Sequence, residues 1–399
     1  MNSIVNTQLA EQESSSSKNL EPSKKELATT TKFNHWMTDE QLEEFGNELT
    51  ALREETLKEV GQEDADYIRG IIRKQRMCEI SGRALIHFSI NPITWLAGVG
   101  LLSVSKIMEN MEIGHNVMHG QYDWMNDPKL NSQTYEWDTV CDSDSWRKTH
   151  NYEHHTYTNI LGKDRDYGYA VLRLSDDTPW KPRHLFQFIN YGLLSVFFQW
   201  GVGLHELESE RIRRGEIKVK DKVPFLKRIS KKASRQVLKD YILFPLLAGP
   251  FALKVLAGNA LANLGRNLWA STIIFCGHFT QDAHTFTQEE CENESKGAWY
   301  LRQMLGSSNF TGGRWLHIMS GHLSYQIEHH LFPDVPAHRY PKMSLKVKEI
   351  CDKYGVPYNT NSFGKQYLSV LKRILQYSLP DKKKPQDNND NSAGQLLPG

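Results

Sequence analysis

Two histidine-rich segments lie far apart in this chain, HNYEHH at residues 150–155 and YQIEHH at residues 325–330. A buried imidazole loses free energy unless its ring nitrogens find partners, so closely spaced histidines need something that binds several of them. A metal ion is the usual binding partner of such a set. The fold is therefore expected to bring these distant segments to one metal centre.

Helical spacing adds further members to this histidine set. In GHNVMHG, residues 114–120, two histidines are four positions apart, so on a helix both can reach one ion. HNYEHH repeats that spacing and adds a third histidine on a neighbouring face. In GHLSYQIEHH, residues 321–330, three histidines and a glutamine predict one continuous helical stripe. The nine predicted metal ligands are His115, His119, His150, His154, His155, His278, His322, His329 and His330.

Gln326 stands in the third segment at the place where a further histidine would complete the pattern. We predict that His322 supplies that imidazole from one helical turn earlier. Gln326 then orients a water or a ligand by hydrogen bonds, or serves as a weak oxygen ligand. A neutral amide suits this role because it binds iron less well than an imidazole does.

The number and type of these ligands narrow the choice of metal. Imidazole suits zinc, copper, nickel and iron, but zinc usually closes its coordination shell with four ligands. Nine histidines are too many for one zinc ion and suit a pair of metals, for which two irons are the better fit. Soluble di-iron bundles use Glu and Glu-x-x-His motifs, so this chain places histidine where those proteins have carboxylates.

Apolar stretches predict membrane helices. Residues 84–105 and 185–204 contain no Lys, Arg, Asp or Glu, and each is close to the ~20 apolar residues that cross a bilayer. Pro92 predicts a break within the first stretch. A third stretch, residues 241–277, is apolar apart from two cations, and Gly258 with Asn259 at its middle predicts a hairpin of two helices. The mean hydropathy of −0.55 is attributed to large polar parts outside the bilayer.

These patterns predict an all-α protein, an integral-membrane helical bundle of about four membrane helices with a cytosolic helical cap that holds the metals. Twelve basic residues against two acidic ones in residues 211–239 predict a cytoplasmic loop. All histidine segments must lie on that side, so residues 185–204 are expected to lie along the membrane interface. The expected location is a bacterial inner membrane, with the active site on its cytoplasmic side.

The chain lacks sequence signatures of a redox group of its own. Its five cysteines form no C-x-x-C pair, and it has no nucleotide-binding signature and no haem motif. The scattered cysteines fit a reducing compartment. Any redox chemistry therefore needs electrons from a separate protein. With a formal net charge of +1, no nucleic acid partner is expected.

The motifs H-x-x-x-H, H-x-x-x-H-H and Q-x-x-H-H resemble those of the integral-membrane fatty acid desaturase family. The resemblance covers residues from about 80 to about 355, and GHLSYQIEHHLFPDVPAHRYPKM is its most specific part. ENMEIGHNVMHGQYDWMNDP and HNYEHHTYTNILGKDRDYGY look closest to bacterial acyl-CoA desaturases of the stearoyl-CoA Δ9 type. The glutamine of the third motif is similar to that of front-end desaturases, although this chain lacks the H-P-G-G motif of their fused cytochrome b5.

The resemblance implies an oxygen-dependent acyl-CoA desaturase, an oxidoreductase that introduces a cis double bond into a saturated acyl chain. It implies two iron ions (Fe²⁺/Fe³⁺) as cofactor, O₂ as co-substrate, and no catalytic residues beyond the metal ligands. The implied partners are a long-chain acyl-CoA or acyl lipid, membrane lipid, and an external electron donor. That donor is expected to be of the ferredoxin or cytochrome b5 type, with an NAD(P)H reductase.

The polar composition of the two ends and the resemblance together suggest a division of the chain into three parts. Residues 1–60 are expected to be a polar, largely disordered N-terminal region, and residues 61–355 the membrane fatty acid desaturase domain. Residues 356–399 are expected to form a C-terminal helix and a disordered tail.

Three alternative functions remain open from the sequence. A front-end acyl-lipid desaturase shares the glutamine of the third motif, and a di-iron membrane hydroxylase or alkane monooxygenase shares the H-x-x-x-H-H pattern. A non-enzymatic membrane metal carrier fits less well, because its histidines would lie inside membrane spans rather than in clusters outside them.

Overall fold

The computed structural model describes residues 33–381, and this part is mostly helical, in agreement with the predicted helical class. Most of the predicted N-terminal region and the tail after Asp381 lie outside the described residues. One pair of short parallel strands accompanies the helices, with Phe310 opposite Asn361.

The elements of the described part are as follows in chain order. The α-helices are α1 (Asp39–Lys58), α2 (Gln62–Phe88), α3 (Pro92–Ile107), α4 (Asn116–Met118), α5 (Ser143–Trp146), α6 (His155–Tyr157), α7 (Gln187–Val196), α8 (Phe198–Leu204), α9 (Ser209–Arg213), α10 (Val223–Val237), α11 (Phe244–Leu247), α12 (Ala252–His278), α13 (Lys296–Leu305), α14 (Arg314–Met319), α15 (Gln326–Leu331), α16 (Tyr340–Tyr354) and α17 (Phe363–Ser378). The strands are β1 (Asn309–Thr311) and β2 (Thr360–Ser362). Segments in π-helical conformation are Met108–His115, Arg147–His154 and Leu238–Leu243.

Helices α2, α3 and α12 pack side by side and form the main bundle. The predicted break at Pro92 is confirmed, since α2 ends at Phe88 and α3 begins at Pro92. Asn91 caps the first turn of α3 with its side chain. The close approach of α2 to α3 requires a glycine at position 82, because a Cβ on Gly82 would lie 2.7 Å from the backbone nitrogen of Leu102.

Helix α12 corrects the predicted apolar hairpin. It is continuous and does not reverse at Gly258 and Asn259. The chain reverses earlier, at Gly249, whose φ of +55° suits a residue without a Cβ. Gly258 instead allows close packing against Ile86, and the Asn259 side chain donates a hydrogen bond to the Asp240 carbonyl oxygen at 2.6 Å. Residues typical of a turn therefore serve helix packing here.

The predicted bundle of about four membrane helices is wrong for the described residues. Within residues 33–381 the structure contains no helix with both the length and the apolar character needed to cross a bilayer. Helix α3 has 16 residues and spans about 24 Å, less than a hydrocarbon core of about 30 Å. Helices α7 and α8 have 10 and 7 residues, and α12 buries Asn263, Arg266 and Asn267 at its middle. The predicted arrangement of a membrane bundle beneath a cytosolic cap is therefore wrong as well, because it depended on these membrane helices.

Helix α1 lies in the region expected to be largely disordered, so that expectation is wrong for residues 39–58. Thr38 and Gln41 form a capping box at its first turn. Its buried face packs against α13 and α16. The charged residues occupy the outer face of an amphipathic helix, and an averaged composition does not reveal that arrangement. The buried apolar residues of α1 are Leu42, Phe45, Leu49 and Leu52.

The variant Gly297→Ala should destabilise the protein, because α1 and α13 touch at this glycine. A Cβ at position 297 would lie 2.0 Å from the Leu42 carbonyl oxygen, so the two backbones would have to separate. We expect the free energy of unfolding to fall by about 1–3 kcal/mol, measured by denaturant titration. Gly364→Ala is the control, since an added Cβ there meets no atom within 4 Å. Equal stability of the two variants would contradict the close packing of α1.

Two apolar clusters flank the third histidine segment. The first cluster includes residues of α2, α7, α12 and α17, and the second includes residues of α1, α13, α15 and α16. Ile327 and Leu331 of α15 belong to the second cluster, whereas Leu323, just before α15, belongs to the first. The segment is therefore held at the boundary between the two clusters, which positions its backbone from both sides.

Candidate metal centre

Separate parts of the chain bring their histidines to one place. The first motif ends the π-helix Met108–His115 and continues through α4, and the second lies on the π-helix Arg147–His154 and α6. The third lies on α15, and His278 is the last residue of α12. π-Helical turns are rare and occur frequently at functional sites. The predicted ligands that meet here are His115, His119, His150, His154, His155, His278, His329 and His330.

The ligand atoms of these side chains form three groups, and within each group all ligand atoms lie within 4.8 Å of one another. The first group is His115, His119, His150 and His329; the second is His154, His278 and His330; the third is His155, His329 and His330. The first and second groups share no residue, and the third group joins them. Two separate ligand groups that are joined by a third group suit a pair of metals.

The ring nitrogens of this cluster fit a metal because many have no hydrogen-bond partner within residues 33–381. The unpaired buried atoms include Nε2 of His115, His119 and His150, and both ring nitrogens of His155 and His329. Burial lowers the pKa of His115 to about 4 and holds the pKa of His119 well below its ordinary value. Such imidazoles are neutral at pH 7 and keep a free lone pair. Unpaired buried nitrogens are unfavourable, and bound metal ions would satisfy them.

Two aspartates that sequence analysis did not identify orient the second motif. Nδ1 of His154 donates to Asp164 Oδ2 at 3.0 Å, and Nδ1 of His150 donates to Asp166 Oδ2 at 3.1 Å. Each bond leaves Nε2 of the histidine available for a metal. Burial alone would lower the pKa of His154, but the Asp164 carboxylate holds it above its ordinary value. The sequence signal was the pair of aspartates in GKDRDYG, which follows the second motif.

Two glutamines contact the second group. Gln303 accepts a hydrogen bond from Nδ1 of His330 at 2.9 Å, and its amide donates to the His155 carbonyl oxygen. The sequence offered no signal for Gln303. The Gln326 amide lies 2.9 Å from Nε2 of His278, and its Oε1 is buried without a partner in the described part of the chain. Gln326 therefore lies at the second group, and its role as a weak ligand or orienting residue stays a prediction.

His322 is a predicted ligand that the structure places in none of the three groups. The predicted continuous stripe is wrong because Gly321 and His322 have φ values of +66° and +57°, and α15 begins only at Gln326. Nδ1 of His322 donates to Glu112 Oε2 at 3.0 Å, and Tyr67 donates to the other oxygen of that carboxylate at 2.5 Å. His322 thus holds Glu112 and lies outside the three groups, and its predicted role as a ligand stays a prediction.

An apolar cavity opens beside the histidines. Its lining includes His115, His150, His154 and His278 from the metal centre. A concave site whose exposed surface is mostly apolar suits a hydrocarbon ligand. The apolar side chains that line it include Phe198, Val202, Ala270, Ile274, Phe279 and Leu323.

Comparison with known proteins agrees with this geometry. A family model described as fatty acid desaturase matches residues 93–362. NADPH-dependent stearoyl-CoA 9-desaturases of two Mycobacterium tuberculosis strains are 47% identical over 350 residues, which is 87% of this chain and 82% of theirs. The sn-1 linoleoyl-lipid 6-desaturase of Synechocystis sp. is 27% identical over 271 residues, which is 66% of this chain and 74% of that protein.

The matched residues contain every histidine of the three groups. The resemblance inferred from the motifs is therefore confirmed along most of the chain, including the likeness to the stearoyl-CoA Δ9 type. The protein is an enzyme, an oxidoreductase with histidine clusters that can bind metal, and it belongs to the fatty acid desaturase family.

Proposed function

We propose that the protein introduces a cis double bond at the Δ9 position of a saturated acyl-CoA, with stearoyl-CoA as the favoured substrate. The observation that carries this proposal is the apolar cavity that is lined in part by the clustered histidines. The names of the relatives at 47% identity support the substrate and the position of the double bond. A pair of unactivated methylenes offers no group for acid–base chemistry, so positioning of the chain is the protein's main task.

We propose two iron ions as the cofactor, one at the first group and one at the second. Bound iron would supply the activation of O₂, which leaves as two waters after taking two hydrogens from the acyl chain, two external electrons and two protons. Asp164 and Asp166 hold the imidazoles of the second motif in orientation through their Nδ1 atoms. Gln303 does the same for His330.

The apolar wall of the cavity has two tasks in this proposal. Phe198, Phe279 and Ile274 contribute to a hydrocarbon surface beside the histidines, which binds the acyl chain by apolar contact. The same residues exclude bulk water from the reacting methylenes. The position of the double bond is then set by how far the acyl chain extends past the imidazoles before it meets the end of the cavity.

Fatty acid profiling in a bacterial host tests the proposed function. The chain is expressed with a [2Fe–2S] ferredoxin and an NADPH-dependent reductase, and cellular fatty acids are analysed by mass spectrometry. We expect a new cis-9 double bond in stearoyl chains. A double bond nearer the carboxyl group of lipid-linked chains would indicate a front-end desaturase, and new hydroxyl groups would indicate a hydroxylase. Unchanged fatty acids together with metal uptake would indicate a carrier, and each of these three results would contradict the proposal.

The variant Gln326→Ala should lower turnover by about 10-fold to 100-fold while most of the iron stays bound. The amide contacts Nε2 of His278, but the second group keeps its three imidazoles without it. Product formation and iron per chain are measured on the same preparation. Gln366→Ala is the control, because Gln366 is equally buried but bonds to Asn309 and Asn359. Unchanged turnover in Gln326→Ala would show that Gln326 only fills a polar pocket.

We also propose that the protein lies at the bacterial inner membrane, with its active site on the cytoplasmic side. The turn between α2 and α3 exposes Phe88 and Ile90, and Leu253 is exposed at the start of α12. The two turns are adjacent, since the Lys254 ammonium donates to the His87 carbonyl oxygen at 3.0 Å. Exposed apolar patches of this kind mark interaction sites. Phe88→Asp with Leu253→Asp should weaken flotation with phospholipid vesicles, and unchanged flotation would contradict the proposed contact.

A further inference from the structure

Helix α10 and the segment before it carry cations that have no anionic partner within residues 33–381. We call this set the basic surface. Like charges at this density repel one another, and a surface of this kind attracts anionic partners and raises their rate of association. The exposed members of the basic surface without an ion pair in the described part of the chain are Arg213, Lys218, Lys220, Lys227, Lys231 and Arg235.

Helix α10 has three faces that differ in their contacts. Phe225 and Ile229 are buried and attach the helix to the protein. A second face is held by ion pairs with nearby carboxylates, including the pair between Arg228 and Asp142 at 3.2 Å. The nearby carboxylates are therefore already paired, and the remaining cations of α10 have no carboxylate partner within the described residues. The third face is an exposed stripe at helical spacing, made of Lys227, Lys231 and Arg235.

A chain of aromatic contacts leads from α10, the helix that carries half of the basic surface, to the metal centre. Lys232 of α10 donates to the Trp137 carbonyl oxygen. The Trp137 ring meets the Trp146 ring with centroids 5.4 Å apart, and Trp146 stacks on His150 with centroids 4.5 Å apart. Both tryptophans are buried. Aromatic rings in direct contact therefore connect the region beneath α10 to the first metal group.

We propose that the basic surface is the docking site of an acidic one-electron carrier protein, whose electrons reach the metal centre through Trp137 and Trp146. This proposal rests on the proposed function, because desaturation with O₂ consumes two external electrons. Each encounter oxidises the carrier by one electron and reduces the metal centre by one electron. Two encounters supply the pair, and no covalent bond forms or breaks in this step. Charge complementarity selects the partner and increases its rate of association.

The position of the basic surface favours an acidic protein over an anionic lipid. The exposed apolar turns that we assign to the membrane lie at the start of α12. Lys239, which follows α10, pairs with Asp138, and the Asp138 carbonyl oxygen accepts a bond from Arg266 in the second half of α12 at 3.4 Å. Asp240, which also follows α10, accepts hydrogen bonds from Asn259 and Asn263 of α12. The end of α10 therefore lies beside the middle of α12, away from the exposed apolar turn at the start of that helix.

Binding measurements on purified protein test the docking site. The probes are a plant-type [2Fe–2S] ferredoxin and a cytochrome b5, both acidic one-electron carriers. The triple variant Lys227→Gln, Lys231→Gln, Arg235→Gln should bind the preferred carrier about ten-fold more weakly at low ionic strength. Its affinity should also depend less on salt than the affinity of the wild type does. The measurement is repeated on metal-free protein, because docking by surface charge does not require the metals.

A matched control removes the same charge from another exposed helix. The triple variant Lys342→Gln, Lys346→Gln, Lys348→Gln changes α16, which packs against α1 and α15. It should bind both carriers as the wild type does. A further variant, Trp137→Phe, should keep the wild-type carrier affinity but slow reduction of the metal centre by the carrier in stopped-flow measurements. Reduction by dithionite, which needs no docking site, should proceed at similar rates in both proteins.

The outcomes separate the docking site from the proposed function. Equal carrier affinity in the two triple variants, or no binding of either carrier to the wild type, would overturn the docking site. Weaker binding of the α10 variant to phosphatidylglycerol vesicles with unchanged carrier affinity would also overturn it and assign the surface to lipid. A wild-type protein that binds the carrier but forms no unsaturated fatty acid would overturn the proposed function and leave the docking site standing.

Discussion

The variant His329→Ala should abolish desaturation and remove most of the bound iron. His329 belongs to both the first and the third group, so its replacement removes one imidazole from each of these two groups. Both of its ring nitrogens lack partners in the described part of the chain, and burial holds its pKa well below the ordinary value. Product is measured by mass spectrometry and iron by elemental analysis, with about two iron atoms per chain and little zinc expected in the wild type.

The control for this prediction is His322→Ala. His322 is also buried and comes from the same segment of the chain, but it bonds to Glu112 and lies in none of the groups. It should lose some stability, because Glu112 loses a buried partner, but should keep its iron. Similar iron loss in both variants would show that His322 is a ligand after all. Stoichiometric zinc without iron in active wild-type protein would contradict the choice of metal.

The variant Asp164→Asn should lower turnover by about 10-fold to 100-fold and weaken iron binding at the second group. Asp164 accepts the Nδ1 hydrogen bond of His154 and the backbone N–H bonds of Asn159 and Asp166, at 3.0, 2.8 and 2.9 Å. An amide has one oxygen in place of two, so it cannot accept all of these bonds. Iron retention during dialysis against a chelator measures the effect directly, and turnover is measured on the same samples.

Glu153→Gln provides the matched control for the aspartate. Glu153 precedes His154 in the same motif, but its side chain pairs with Arg165 and contacts none of the clustered histidines. This ion pair is partly exposed, so its loss should have a small effect on stability. Turnover and iron retention should stay close to wild type. If both carboxylate-to-amide variants retained iron equally well, Asp164 would have no role in orienting His154.

The clustering of the histidines within each of the first two motifs could be predicted, because four-residue spacing is informative in more than one type of helix. His115 and His119, like His150 and His154, remain neighbours although parts of both motifs adopt the wider π-helix. The prediction of one continuous helical stripe from His322 to His330 failed because it assumed an unbroken helix. Gly321 and His322 both have positive φ, so the helix does not extend through them. A pattern of residue types does not reveal this backbone conformation.

The roles of Asp164 and Asp166 were not predicted, for a different reason. Asp164 and Asp166 reach the second motif only because the chain turns at Asn159 and Gly162, with φ values of +57° and +79°. Spacing arguments hold within one helix and do not extend across a loop. The apolar stretches misled for another reason. A count of residue types shows neither that residues 185–204 divide into two short helices nor that Arg266 is buried within α12.

The order of the ligands along the chain determines when the metal centre can form during protein synthesis. The first motif is translated early, but the second group needs His278 and His330, which emerge from the ribosome much later. Strand β1 precedes the third motif in the chain, and its partner strand β2 is translated later than that motif. A growing chain therefore presents incomplete sets of imidazoles to the cell's metal pool, including zinc. Neither the first nor the second group therefore has its full set of imidazoles until residues 329 and 330 have been synthesised.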